Sequence, residues 1–459
     1  MPPFKMWEIM ERANNGPFCE EEEFTTKLFM PKMREVVKKY GIQYNPQTPV
    51  PQDDDLADRV WQAAVEFFLE VGVYNVNTHR RMLISRDELE EALYHAPGRY
   101  WVGAGRDLRQ WEHRQVEDRR PPFCIFSGDI TCDEEIFLPM SIAYIQEPLA
   151  DGVCAPILEE SMGLAIKSHT PTEMAGVVEH ATLLRSAARL AGRPGIFLVA
   201  VGTAQSDSGQ LAVSNDQWGV RPSDARLIGA LTEFKIDNEL LNKIVHCMQF
   251  GCFIGCLSGA IYGGYAGRAE GTAVLETAYH LVGLTIYQAS FQQSFPFHLH
   301  WTANTSRELL WVVSVVHQAL ARNSRILSTS NGFSNAGSGT EMVLYEAAAH
   351  GLTSTVSGGD LWEIGVAHNK YRNYATPLEA RLACEVGHAA ARQGMARAQA
   401  NQIVLRLLEK YERQLSDSPK GKPFQECYDV RTARPMPWYL DMYHKVKSEI
   451  ADMGVQFPF

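Results

Sequence analysis

The segment His298-Leu299-His300-Trp301 sets two imidazoles two residues apart. On a strand, that spacing turns both rings to one face. Imidazole titrates near neutrality, so the pair can take a proton from a phenol or hydroxyl as a transition state forms. Each ring can equally be a hydrogen-bonded histidine of a core or an interface. Asn331, on the next strand candidate, is suited to orient a ligand through its amide. Asp129, Gln205, Asp207, Ser258 and Glu341 are further polar candidates at expected strand ends, and Glu341 is also placed to cap its own helix. The run Gly263-Gly264-Tyr265-Ala266-Gly267 lets the backbone approach a bulky planar group, or makes a tight strand-to-helix turn.

Cys252 and Cys256, with His246 and Cys247 nearby, raise the question of zinc. Four positions along a strand separate two side chains by about 13 Å, too far to share a metal. The thiols read as barrel packing, and no metal site is expected. The nine cysteines have no disulfide-framework rhythm, which fits reduced thiols in a cytoplasmic protein. The chain has 459 residues, a net charge of -11 and 45% hydrophobic content. That balance excludes a phosphate-binding basic surface, so no nucleic-acid partner is expected. The first residues, Met1-Pro2-Pro3-Phe4-Lys5, lack an apolar secretion core, and no apolar run reaches bilayer length; no membrane association is expected.

The elements that position these residues begin with helices. Val60, Ala64, Phe67, Phe68 and Val71 share one helical face ending at Gly72, and Ser85 with Glu88 has capping-box spacing. From about residue 122, short apolar strands alternate with amphipathic helices. Strands are expected at 123–126, 152–158, 196–201, 252–258, 297–301, 326–330 and 354–357, with an eighth hidden within 202–230. Thr170-Pro171 and Thr376-Pro377 mark helix starts, and Thr305 with Glu308 marks another. This grammar implies a parallel sheet, either closed as a barrel or doubly wound.

The glycine run, together with Ala191-Gly192-Arg193-Pro194-Gly195, Thr340-Glu341-Met342 and Phe424-Gln425-Glu426-Cys427-Tyr428-Asp429-Val430, resembles the monomethylamine:corrinoid methyltransferase family over nearly the whole chain. The resemblance implies a (β/α)8 TIM-like barrel over 122–395, an N-terminal helical cap over 1–121 and a C-terminal helical extension over 396–459. Chemistry then sits at the C-terminal ends of the strands. It also implies cobalamin carried by a partner corrinoid protein, with Gly263, Gly264 and Tyr265 facing that cofactor, and a homo-oligomer, a hexamer by resemblance.

The family's pyrrolysine, which holds methylamine covalently, falls on Val199 or Ala200, depending on a one-residue gap. Two family glutamates align with Leu227 and Leu257, a glutamine with Asn331, and a tyrosine with Phe333. His298 matches a family histidine, His300 replaces an arginine, and Glu341 matches a glutamate. An ammonium group needs a paired charge or acceptor when buried, which two leucines cannot supply. They offer apolar wall instead, at about 25 cal/mol per Å².

The leading expectation is therefore a cobalamin-dependent methyltransferase acting on an apolar, phenolic acceptor resembling an estrogen. His298 or His300 is the expected base, Asn331 the orienting group, and Ala200, Leu227, Leu257, Phe333 and Glu341 the substrate contacts. The alternatives are a pyrrolysine-independent demethylase of a small methylated amine or related donor, and a non-catalytic subunit that docks a corrinoid protein.

Overall fold

Eight parallel strands form the centre of the protein in the computed structural model, which describes residues 4–128, 130–366 and 371–458. Asp129 lies outside the described residues. The strands are β1 (Cys124–Ser127), β2 (Gly152–Cys154), β3 (Phe197–Ala200), β4 (Ala225–Gly229), β5 (Phe253–Ser258), β6 (Phe291–Ser294), β7 (Ser328–Ser334) and β8 (Asp360–Val366). Their hydrogen-bonded order is β3-β2-β1-β8-β7-β6-β5-β4, and every pairing is parallel. The two edge strands, β3 and β4, pack side by side and nearly close the barrel. The expected fold is the observed one.

Each strand leads to a helix: α1 (Glu134–Ile145), α2 (Pro171–Leu190), α3 (Asp207–Ala212), α4 (Asn238–Phe250), α5 (Ala269–Thr285), α6 (Arg307–Asn323), α7 (Glu341–Val356) and α8 (Pro377–Gln393). Proline opens α2 and α8, and side chains of Asp237, Ser306 and Thr340 accept the early backbone N–H groups of α4, α6 and α7. The α6 cap is thus Ser306 rather than Thr305.

The hidden eighth strand is β4, inside 202–230 as expected. Three other expectations need correction. Residues 297–301 are not a barrel strand: only Phe297–His298 is extended, and it pairs with Ile261–Tyr262 outside the barrel. The barrel strand there is β6, whose glutamines conceal it. Residues 354–357 end α7, and the strand is β8. The strand expected at 326–330 lies at Ser328–Ser334, a run of small and polar residues that is buried throughout.

The N-terminal part contains more than helices. Helix Asp54–Val71 packs on α5 and α6. The hairpin Arg99–Val102/Arg109–Glu112 seals the N-terminal end of the barrel. Its Trp111 stacks on Phe123 at 4.4 Å, approaches Phe291 at 4.9 Å and donates Nε1–H to Asp360 at 2.6 Å. This aromatic plug leaves the C-terminal end as the open one. Among the described residues, no helix is long and apolar enough to cross a membrane.

Candidate active site

Strand alternation decides which side chains face the mouth. On β6, Gln292 packs towards Gly283 of α5, whereas Phe291 belongs to the interior plug; Gln293 therefore points inward. On β7, the Ser330 hydroxyl meets His350 of α7 at 3.0 Å, which turns Asn331 and Phe333 inward. On β5, Cys256 joins the outer core, so Leu257 faces in. Leu227 packs against the plug, one step deeper than Leu257.

Register places these residues in layers. Gly229 is opposite Leu257, Leu257 is opposite Gln293, and Gln293 is opposite Thr329. One step above, Asn331 sits beside Trp362. Leu227, Leu257 and Gly229 keep partial exposure although they point inward, so the mouth is open. Phe295 and Phe333 meet at 5.0 Å between ring centroids at the rim.

Within this apolar wall lie polar atoms that lack partners. Gln293 Oε1, Asn331 Oδ1, Ser127 Oγ and Trp362 Nε1 are buried and make no hydrogen bond among the described residues. A folded chain rarely leaves such groups unpaired unless water or a ligand meets them. Sequence reasoning identified Asn331 but missed Gln293. The signal was Gln292-Gln293 between Phe291 and Phe295, hidden by the misplaced strand.

The pair Val199 and Ala200 is resolved by a bulge. Leu198 pairs with Val153 and Ala200 with Cys154, so Val199 is the extra residue. Both Val199 and Ala200 join the interior cluster, which is how a bulge re-aims side chains. The one-residue ambiguity in the sequence falls on this irregularity.

Carboxylates stand behind the mouth. Glu276 of α5 accepts from Ser258 Oγ at 2.8 Å, Ala260 N at 2.8 Å, Ser294 Oγ at 2.9 Å and Phe295 N at 3.3 Å. Ser258 therefore serves the loop, not the site. Glu346 of α7 accepts from Asn335 N at 2.8 Å, Ala336 N at 2.9 Å and Thr305 Oγ1 at 2.5 Å; burial pushes its pKa up to about 6 against those bonds. Glu173 of α2 holds the β3–α3 loop through Gln205 N and Ser206 N. Asp207 is tied to Ser208 N and Asn242, and Gln205 is exposed. The mouth loops are thus pinned from outside, while the inward strand positions at this level carry no carboxylate among the described residues.

Three expected site residues are displaced. Glu341 lies on the outer surface, paired with Lys445 at 2.6 Å, and does not reach the barrel interior. The histidines do not share a strand face: His300 is exposed in a turn. His298 stacks on Trp301 at 4.0 Å, and its Nδ1 accepts the N–H groups of His300 at 3.1 Å and Trp301 at 3.4 Å. Those bonds put the ring proton on Nε2. Burial, then His300, lowers its pKa. His298 braces the paired loops after β5 and β6, and its acceptor nitrogen is already occupied. His298→Asn, whose Oδ1 can take the same amides, should therefore keep turnover within a few-fold. A general base would lose about 10²–10⁴, which a rate measurement on the variant distinguishes.

Gly263 and Gly267 have φ of +90° and +89°, and Gly263 N donates to Gly267 O at 2.8 Å, so the turn reading of this loop holds. Glu233 accepts from Tyr265 N at 3.3 Å and leaves the Tyr265 ring 53% exposed. Met162, Leu211 and Leu299 are likewise exposed on segments that follow strand ends. These four apolar side chains are exposed on loops and a helix that follow the strands, beside a loop short of side chains.

Residues 4–455 match the family described as Monomethylamine methyltransferase MtmB. The chain is 30% identical to Monomethylamine methyltransferase MtmB1 of Methanosarcina acetivorans over 459 residues, covering 99% of each. It is equally similar to Monomethylamine methyltransferase MtmB of Methanosarcina mazei, at 30% over 99% of each. The solved structure of the Methanosarcina barkeri Monomethylamine Methyltransferase superposes with a TM-score of 0.94 at 29% identity, covering 98% of both chains. A hydroxylamine MtmB complex gives 0.94 at 28%, again over 98% of both.

Proposed function

This chain belongs to the monomethylamine methyltransferase MtmB family, and from that premise we propose that it moves a methyl group between a small substrate at the barrel mouth and a corrinoid carried by a separate protein. In the reading that family membership favours, the substrate is a small methylated amine or related donor. The observation that carries it is the pair of inward amides, Gln293 and Asn331, whose unpaired oxygens sit in an apolar wall. Each can accept an N–H or O–H from a substrate head group. Val199 and Ala200 occupy the strand end that the family resemblance assigns to pyrrolysine, so hydrogen bonds and shape hold the donor without a covalent adduct. Leu227, Leu257 and Phe333 exclude water around the methyl group.

When docked, the corrinoid supplies the cobalt that takes or gives the methyl. Tyr265, Met162 and Leu299 form the rim against which its carrier sits, with Gly263 and Gly264 allowing close approach. The working assembly is a homo-oligomer, as the resemblance implies.

A second reading reverses the flow: the corrinoid protein methylates an apolar phenolic acceptor, of steroid size at the largest. Leu227, Leu257 and Phe333 favour it, since they replace charge with wall. Its base is not His298, whose Nδ1 is occupied.

One experiment separates the readings. The chain is incubated with reduced corrinoid protein and a panel of methylated amines and related donors. In parallel it is incubated with methylated corrinoid protein and phenols, phenolic steroids included. Methylation of the corrinoid by a small donor is the expected result. Methyl transfer to a phenol alone would install the second reading. Tight binding of the corrinoid protein with no transfer in either arm would overturn both and leave a docking subunit.

A further inference from the structure

Behind the mouth, one buried carboxylate is tied to a single imidazole. Glu363 of β8 is fully buried, and its Oε1 accepts Nδ1–H of His350, from α7, at 2.6 Å. His350 Nε2 in turn accepts the Ser330 hydroxyl, from β7, at 3.0 Å. A carboxylate only accepts, which fixes the imidazole proton on Nδ1 and leaves Nε2 to the serine. Glu363 Oε2 has no hydrogen-bond partner among the described residues. It lies over Gly332 of β7, where a Cβ would collide with it and stand 2.8 Å from His350 Nδ1. Glycine at 332 is what lets the carboxylate and the imidazole meet against the strand.

The sheet is irregular at this level. Asn331 pairs with Trp362 and Phe333 with Gly365, so β8 carries one more residue than β7 between those pairs. Glu363 and Ile364 accordingly both face the helices, Ile364 packing with Ala347 of α7 and Ala383 of α8. A bulge re-aims the side chains beside it. Here those are mouth residues: Trp362 precedes Glu363, and Asn331 and Phe333 flank Gly332. The Phe333 ring also covers Gly365, where a Cβ would collide with it. A buried acid–imidazole pair adds little net stability, because desolvation offsets its attraction; fixing register is the use it serves best.

We propose that Glu363 and His350 are positioning residues for methyl transfer, which lock the β8 bulge against α7 and so set where Asn331 presents its amide. This inference rests on the substrate-aligning role proposed above for Asn331. Neither side chain touches the substrate, since both lie between the sheet and the helices. They act through the strand: the tie holds Ser330 and the backbone of Gly332 on either side of Asn331, and Trp362 opposite it.

The test assays the full chain with reduced corrinoid protein and mono-, di- and trimethylamine as donors. It compares Glu363→Leu, Glu363→Gln, Asn331→Leu and the variant carrying both leucines. Glu363→Leu should lower kcat about 10–100-fold, because misplacing an aligning group by up to about 1 Å carries losses of that order. KM should stay within about threefold, since alignment rather than uniform binding is lost. Glu363→Gln keeps an acceptor for His350 Nδ1–H and should restore kcat to within about threefold of the parent. With Asn331→Leu already present, Glu363→Leu should cost less than about a further threefold, because both act through one amide. Should Glu363→Leu fail to fold, Gly332→Ala replaces it, its methyl displacing Oε2, with the same expected losses. A folded Glu363→Leu with the parent's kcat, or losses that multiply in the double variant, overturns this inference and leaves the role of Asn331 standing. Full turnover by Asn331→Leu, or a parent inert toward all three amines, removes that role and this inference with it.

Discussion

Glu276→Leu should destabilise the protein by about 3–6 kcal/mol, since the substitution strands the backbone N–H groups of Ala260 and Phe295 and the hydroxyls of Ser258 and Ser294. Each amide left unpaired in a dry site costs about 1–3 kcal/mol. The hydroxyls can rotate in part, because Ser258 Oγ already has Gln293 O at 3.5 Å. A domain has about 5–15 kcal/mol to lose, so the variant stands near the edge of folding. Burial raises the pKa of Glu276, yet its oxygens are the acceptors that define the loops after β5 and β6. Glu276→Gln keeps one acceptor oxygen and should lose less than half as much. Urea melts of the two variants provide the comparison. A leucine variant within about 1 kcal/mol of the parent would show that water, rather than the carboxylate, satisfies those loops.

The barrel was legible where local rules and burial agree. The helix starts at Thr170-Pro171 and Thr376-Pro377 and the stop at Gly72 follow from backbone chemistry alone, and all appear in the structure. Two of the three misplaced strands are those whose composition contradicts their burial. Phe291–Ser294 and Ser328–Ser334 are lined with Gln, Ser, Thr and Asn yet wholly buried. A central parallel strand usually reads as an apolar run. These two instead supply the polar atoms of the mouth and its loop anchors, which places the failed readings at the candidate site itself. His298 misled for a related reason. Its spacing from His300 suits a strand, but a turn follows at once, and the imidazole accepts that turn's amides. Glu341 showed the limit of a single matched residue, because its position at the helix start sends the side chain outward to Lys445.

The layering also explains why the mouth can tolerate unpaired groups. Below Gln293, the plug of Trp111, Phe123, Phe197 and Phe291 fills the barrel. Behind it, Glu276 and Glu346 fix the loops without entering the interior. The fold is therefore held by contacts that leave the inward amides free of structural duty. Stability rests on residues other than those proposed to handle the substrate.

That separation gives the second large effect, in which activity and stability move in opposite directions. Gln293→Leu and Asn331→Leu each remove a buried amide whose oxygen has no partner among the described residues. Replacing an unsatisfied polar group by an apolar one of similar size is neutral or stabilising, here by up to about 1 kcal/mol. Methyl transfer should fall about 10²–10³-fold in each variant if the amides align the substrate as proposed, since misplacement near 1 Å carries a penalty of that order. The neighbouring Leu257 makes the contrast sharper: Leu257→Ala enlarges the wall beside Gln293 and should weaken substrate binding while sparing the chemical step. A melting curve and a single-turnover assay on the same preparations suffice. If either amide variant lost stability by more than about 1 kcal/mol while keeping full turnover, that amide would belong to the scaffold and not to the substrate.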